Sequence, residues 1–114
     1  MPTTVSETFV SVPVRDMARA TSFYVRALGA TVAFATDRWT SIHIARVRLG
    51  LALADEGAGV PTGLHFAVAD LDAAKAEIVA AGGRVPGESV EVAPGVVICD
   101  ALDSEGNGFT LTRR

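Results

Sequence analysis

Apolar and polar positions along the chain fall into two periods that alternate twice. From Phe9 to Val14, valines at 10, 12 and 14 alternate with Phe9, Ser11 and Pro13, the two-residue period of a strand with one buried face. Asp16 follows as a helix N-cap, because its carboxylate can accept from the free N–H groups of a first turn. Met17, Ala20, Phe23, Tyr24, Ala27 and Leu28 then recur at three- and four-residue spacing, and Gly29 supplies the stop. The valine face is expected to lie beneath this helix.

Three extended segments are predicted next, over residues 30–36, 39–45 and 46–54, with Asp37-Arg38 turning between the first two. In the third, Leu49, Leu51 and Leu53 alternate with Gly50, Ala52 and Ala54, so one face is apolar and the other nearly bare, which leaves space. Residues 55–62 contain Gly57, Gly59 and Pro61 without any period and read as a linker. The plan then repeats. Leu64, Phe66 and Val68 alternate with Gly63, His65 and Ala67; Asp70 caps a helix bearing Leu71, Ala74, Ile78 and Ala81; and Gly82-Gly83 end it. Strands are predicted at 90–92, 96–102 and 109–112, with 103–108 as a tight hairpin loop rich in residues that tolerate positive φ. An offset of 54 residues brings Val14 onto Val68, Asp16 onto Asp70 and Gly29 onto Gly83, and being even it preserves strand parity. The chain is therefore an α+β fold made of two βαβββ modules in a single domain: module one over 5–54, a linker over 55–62, module two over 63–114.

Composition narrows what such a fold could do. The 114 residues are nearly half apolar and one fifth charged, enough material for the core of one domain. A formal charge of −3 with no Lys/Arg cluster argues against a nucleic-acid partner. No apolar run approaches the roughly 18 residues of a membrane span, and the N-terminal residues lack the features of a signal peptide, so the expected location is cytoplasmic with no membrane partner. Cys99, the only cysteine, has no disulfide partner and is expected as a small buried apolar residue.

Three motifs in order carry a family resemblance: Val12-Pro13-Val14-Arg15-Asp16 with Ser22-Phe23-Tyr24 and Leu28-Gly29; His65 to Asp70 with Ala80-Ala81-Gly82-Gly83; and Asp103-Ser104-Glu105-Gly106-Asn107 before the last strand. The chain resembles the vicinal oxygen chelate superfamily, the glyoxalase/bleomycin resistance/dioxygenase fold. In character it is closest to the metal-free, bleomycin-resistance-like members. The resemblance implies an incomplete, curved β-barrel with helices outside and a ligand cleft inside. In metal-dependent members, up to four inward side chains hold one divalent ion. Carried over by the family's spacing, those positions are Phe9, about Ala52, Gly63 and Thr110, none of which offers an imidazole or a carboxylate. No metal and no cofactor are expected, and no catalytic residue is assigned.

The candidate ligand-binding residues are Phe9, Ser11, Trp39, His43, His65 and Thr110. Phe9 and Trp39 offer aromatic surface; Ser11 and Thr110 offer hydroxyls; His65 shares the inward face of Gly63 and could hydrogen-bond a ligand or act as a base. His43 joins them if the Trp39/Ser41/His43 face lines the cleft. Three functions fit. The first is a metal-free module that encloses or sequesters a small organic ligand, such as a drug or natural product; an acidic body would favour a cationic one. The alternative is an enzyme using His65 as base or a displaced metal at His43, His65 and Asp100. The third is a structural partner domain whose cleft is filled by Phe9 and Trp39. A homodimer is the expected assembly, and the modules could pair within one chain or between two.

Overall fold

Both aspartates cap helices as their positions predict. Asp16 accepts from the Arg19 N–H at 3.0 Å and Asp70 from the Ala73 N–H at 3.0 Å, each with an extended backbone at the cap. The computed structural model describes residues 1–114. In chain order its elements are β1 (Val10–Val14), α1 (Met17–Leu28), β2 (Thr31–Ala35), β3 (Trp39–Ile44), β4 (Val47–Leu53), β5 (Pro61–Ala67), α2 (Leu71–Ala80), β6 (Val90–Ala93), β7 (Val96–Leu102) and β8 (Gly108–Arg113).

The strands form two four-stranded mixed sheets, ordered β1-β4-β3-β2 and β5-β8-β7-β6. Each sheet begins with a parallel pair, β1 with β4 and β5 with β8, because a helix crossover separates the first strand from the others. Val12, Val14, Leu49, Leu51 and Ile42 are completely buried, as are Phe23 and Tyr24 of α1, so the valine face does lie under its helix. Module two repeats this with Leu111, Cys99 and Ile78. One continuous core of 16 residues runs through both modules, and α1 packs against α2 across the boundary.

The structure departs from the sequence reading in three places. Strand β5 starts at Pro61, inside the segment read as linker, because Gly108 N–H reaches the Val60 carbonyl at 2.8 Å and draws that end into the sheet. Helix α2 stops at Ala80 with Ala81 as its cap, ahead of Gly82-Gly83. The loop at 103–108 is far more than a turn: Asp103, Glu105 and Asn107 are buried, and Gly106 is its only residue at positive φ.

That loop holds the modules together. Asp103 accepts from the Tyr24 hydroxyl at 2.6 Å and from its own loop's N–H groups at 105 and 107. Asn107 Oδ1 accepts from the Gly59 and Val60 N–H groups, while its amide nitrogen donates to the Pro13 carbonyl at 2.8 Å. Glu105 Oε1 accepts from the Arg15 and Asp16 N–H groups at 2.9 Å each, and Arg19 donates to both carboxylate oxygens. Burial alone would raise the Glu105 carboxyl, but these bonds, with one from Ser104, outweigh it and bring its pKa down to about 2. Tyr24 shifts the opposite way: burial first, then the Asp103 carboxylate, hold its hydroxyl protonated well above the usual range.

Candidate functional site

Strand alternation leaves one face of each sheet without a helix, and all six candidate residues belong to those open faces. On the first sheet, Ser11 pairs with Gly50 and Gly50 with Ser41, while His43 pairs with Arg48, so the Trp39/Ser41/His43 face is the face of Ser11. The Phe9 and Trp39 rings meet edge to face with centroids 6.0 Å apart. Trp39 also donates from Nε1 to Ser41 Oγ at 2.9 Å, which fixes its tilt.

This indole corrects one expectation. Alternation predicts bare space at Gly50, yet a Cβ there would fall 1.9 Å from Trp39 Cζ2, so the space is already occupied by the indole lying across it. Module one thus presents an aromatic wall with Ser11 and His43 exposed beside it. The wall does not close the site: Phe9 remains 43% exposed, and His65 and Ala67 of the other sheet are exposed as well.

On the second sheet His65 pairs with Thr110, and Thr110 with Asp100, forming one row across three strands. The Thr110 hydroxyl donates to Asp100 Oδ1 at 3.0 Å rather than to His65. A bulge sits just before this row, since three residues of β5 separate Pro61 from His65 while only Phe109 separates their partners Gly108 and Thr110, and Gly63 takes φ +75 there. Gly63, Asp100 and Thr110 line a shallow cavity of about 360 Å³. His65 lines a separate groove of about 490 Å³ along the free edge of β5, facing Ile44, Ala45 and Val47.

Within one chain the six residues therefore form two groups. Phe9, Ser11, Trp39 and His43 share the first sheet; His65 and Thr110 share the second; no single cavity contains both sets. His43, His65 and Asp100 do not gather into a displaced metal site, and nowhere do three His, Cys, Asp or Glu side chains come close enough to hold an ion.

The register also corrects one of the family's four metal positions. Ser11 and His65 are equivalent, Ser11 pairs with Gly50 and His65 with Thr110, so the counterpart of Thr110 is Gly50 rather than Ala52. Phe, Gly, Gly and Thr do not fit a divalent ion, whose usual protein ligands are imidazole, carboxylate or thiolate. One residue of the open faces escapes the sequence reading: Arg48, which shares the parity of Gly50 and is legible from alternation once that face is extended by one position.

Paired βαβββ modules with an open strand face on each define the class of protein. The sequence model of the Glyoxalase/Bleomycin resistance protein/Dioxygenase superfamily matches residues 8–110, and the chain belongs to that superfamily. Comparison with curated proteins gives no match. Among solved structures, a glyoxalase/bleomycin resistance protein/dioxygenase family enzyme from Burkholderia phytofirmans PsJN is similar at TM-score 0.80 and 18% identity, over 92% of this chain and 95% of that one. The genomically encoded fosfomycin resistance protein FosX of Listeria monocytogenes is similar at TM-score 0.82 and 16% identity, over 98% and 95%. A glyoxalase/bleomycin resistance protein from Albidiferax ferrireducens T118 gives 0.74 and 21%, over 96% and 99%. At these identities the likeness is one of fold.

Proposed function

We propose that this protein is a cytoplasmic small-molecule-binding member of its superfamily that works without a metal. Its cleft forms between the open face of module one in one chain and the open face of module two in a second copy. The observation that carries this reading is the exposure of both half-sites, aromatic and hydroxyl-bearing on one sheet, imidazole- and hydroxyl-bearing on the other, with no cavity that joins them within one chain. Pockets for organic ligands combine such apolar surface with a few orienting polar groups. Exposed Val32 and Phe34 on β2 and Val90 and Val92 on β6 add apolar surface that a second copy would cover. Sequestration of a drug or natural product is the role that fits a cleft without a metal-ligand set.

Trp39 is the only tryptophan and stands in the first half-site, so it is a built-in reporter. N-phenyl-1-naphthylamine, a neutral planar probe, is expected to brighten on binding and to quench Trp39 by energy transfer, at one probe per chain in a two-chain species. Trp39→Ala and His65→Ala should each weaken it about tenfold, the loss of one good contact. Divalent manganese, nickel and zinc should leave the melting temperature unmoved. A monomer that takes up no probe, or a tightly bound ion at one per chain, would overturn the proposal.

A further inference from the structure

Arg48 is a half-buried side chain whose bonding is incomplete. It lies on the open face of β4 opposite His43, with its guanidinium carbon 4.5 Å above the Phe9 ring. One terminal nitrogen pairs with Glu7, and the other stands 3.4 Å from Ser41 Oγ, a long contact. Its Nε is buried and has no partner, the only side-chain nitrogen or oxygen in the chain so left. A guanidinium on an open strand face with a covered, unpaired Nε and one long terminal contact has donor capacity to spare for an acceptor.

Glu7 does not complete it. It meets only one terminal nitrogen, from a segment with no regular structure, and its side chain is more than half exposed. A guanidinium is built to pair with an oxyanion through two parallel N–H groups at once, and here Glu7 takes only one of the two terminal nitrogens. The fork also stands beside Phe9, which touches Trp39, so an aromatic wall and an anion-pairing edge adjoin on one strand face.

Building on the cleft reading above, we propose that the ligand is a planar organic anion. Its ring lies against Trp39 and Phe9, and its carboxylate or other oxyanion pairs with the two terminal nitrogens of Arg48, displacing Glu7 from one of them. Glu7 is thus an internal stand-in for the ligand's acidic group, and its segment must give way for the ligand to bind. The local cation outweighs the body's net charge of −3, which by itself would favour a cationic ligand.

Two probes that differ by one anionic group test this: N-phenyl-1-naphthylamine and its 8-sulfonate, each titrated against wild type, Arg48→Gln and Glu7→Gln. Wild type should prefer the sulfonate; Arg48→Gln should abolish that preference, a loss of about tenfold or more, with the neutral probe little changed. Glu7→Gln should tighten the sulfonate several-fold by removing its competitor. A wild type that favours the neutral probe overturns the inference. So does a sulfonate preference that survives Arg48→Gln, or a Glu7→Gln variant that weakens the sulfonate. If the neutral probe binds and the sulfonate gains nothing, this inference alone fails; if neither probe binds any variant, the cleft reading fails with it.

Discussion

Asn107 has no exposed surface, and its side chain serves four partners: two N–H groups of the segment before β5, the Pro13 carbonyl and Asp103. Truncating it strands those groups in the interior, so Asn107→Ala is expected to cost on the order of 3 kcal/mol, read from chemical denaturation. Glu105 makes stability depend on acid. Its folded pKa of about 2 lies below the ordinary 4.5, so the unfolded chain binds the proton first as pH falls. The contribution, on the order of 3 kcal/mol, is complete above about pH 4.5 and is lost between there and pH 2. Glu105→Gln should be less stable at neutral pH and should flatten the acid limb; equal acid dependence in the two proteins would show that another group sets it. In the site, Gly50→Ala must push Trp39 aside, because the new methyl falls 1.9 Å from the ring. A cost of about 1–3 kcal/mol and a changed tryptophan emission are expected. None of these three roles was legible as such. Asp, Glu and Asn in a Gly-containing segment carry the composition of an exposed turn, and only contacts some 90 residues away along the chain, such as Glu105 to Arg15, bury them.

At the scale of elements the sequence was informative because alternation and caps are local. Val10 to Val14 showed its buried face, Asp16 and Asp70 their helix starts, and the even offset carried the same facing into the second module. What alternation could not show is where a strand bulges or how far pairing extends. The start of β5 depends on partners in β8, and the bulge at Gly63 interrupts the count by which metal positions were carried over. The repeated glycines illustrate a second limit. Gly29 sits at φ +68 with open space around it and closes α1 in the left-handed region, whereas Gly83, its repeat partner, lets backbone approach: a Cβ there would meet the Leu102 carbonyl at 2.5 Å. Gly29→Ala should therefore cost about 1 kcal/mol, from backbone strain alone. Gly83→Ala should cost clearly more, because Leu102, Phe23 and Ile78 must all shift; thermal unfolding of the two variants ranks them.

The whole molecule is a slab of about 41 × 38 × 24 Å with a radius of gyration of 14.6 Å, above the roughly 13 Å of a compact domain this long. Helices and the 103–107 loop join the modules, leaving each sheet's other face to solvent. This spread form is what the repeat alone could not reveal, since two identical units can be joined face to face or side by side. It is also why the candidate residues separate into two sets, which the proposed second copy would bring together. The most direct measurement is probe binding to a mixed dimer, made by co-expressing a Trp39→Ala chain with a His65→Asp chain. If clefts form between chains, one cleft of the mixed dimer carries both changes and the other neither, so one probe per dimer should bind with wild-type affinity. If each chain builds its own cleft, every site carries one change, and the mixed dimer would bind as weakly as either variant alone.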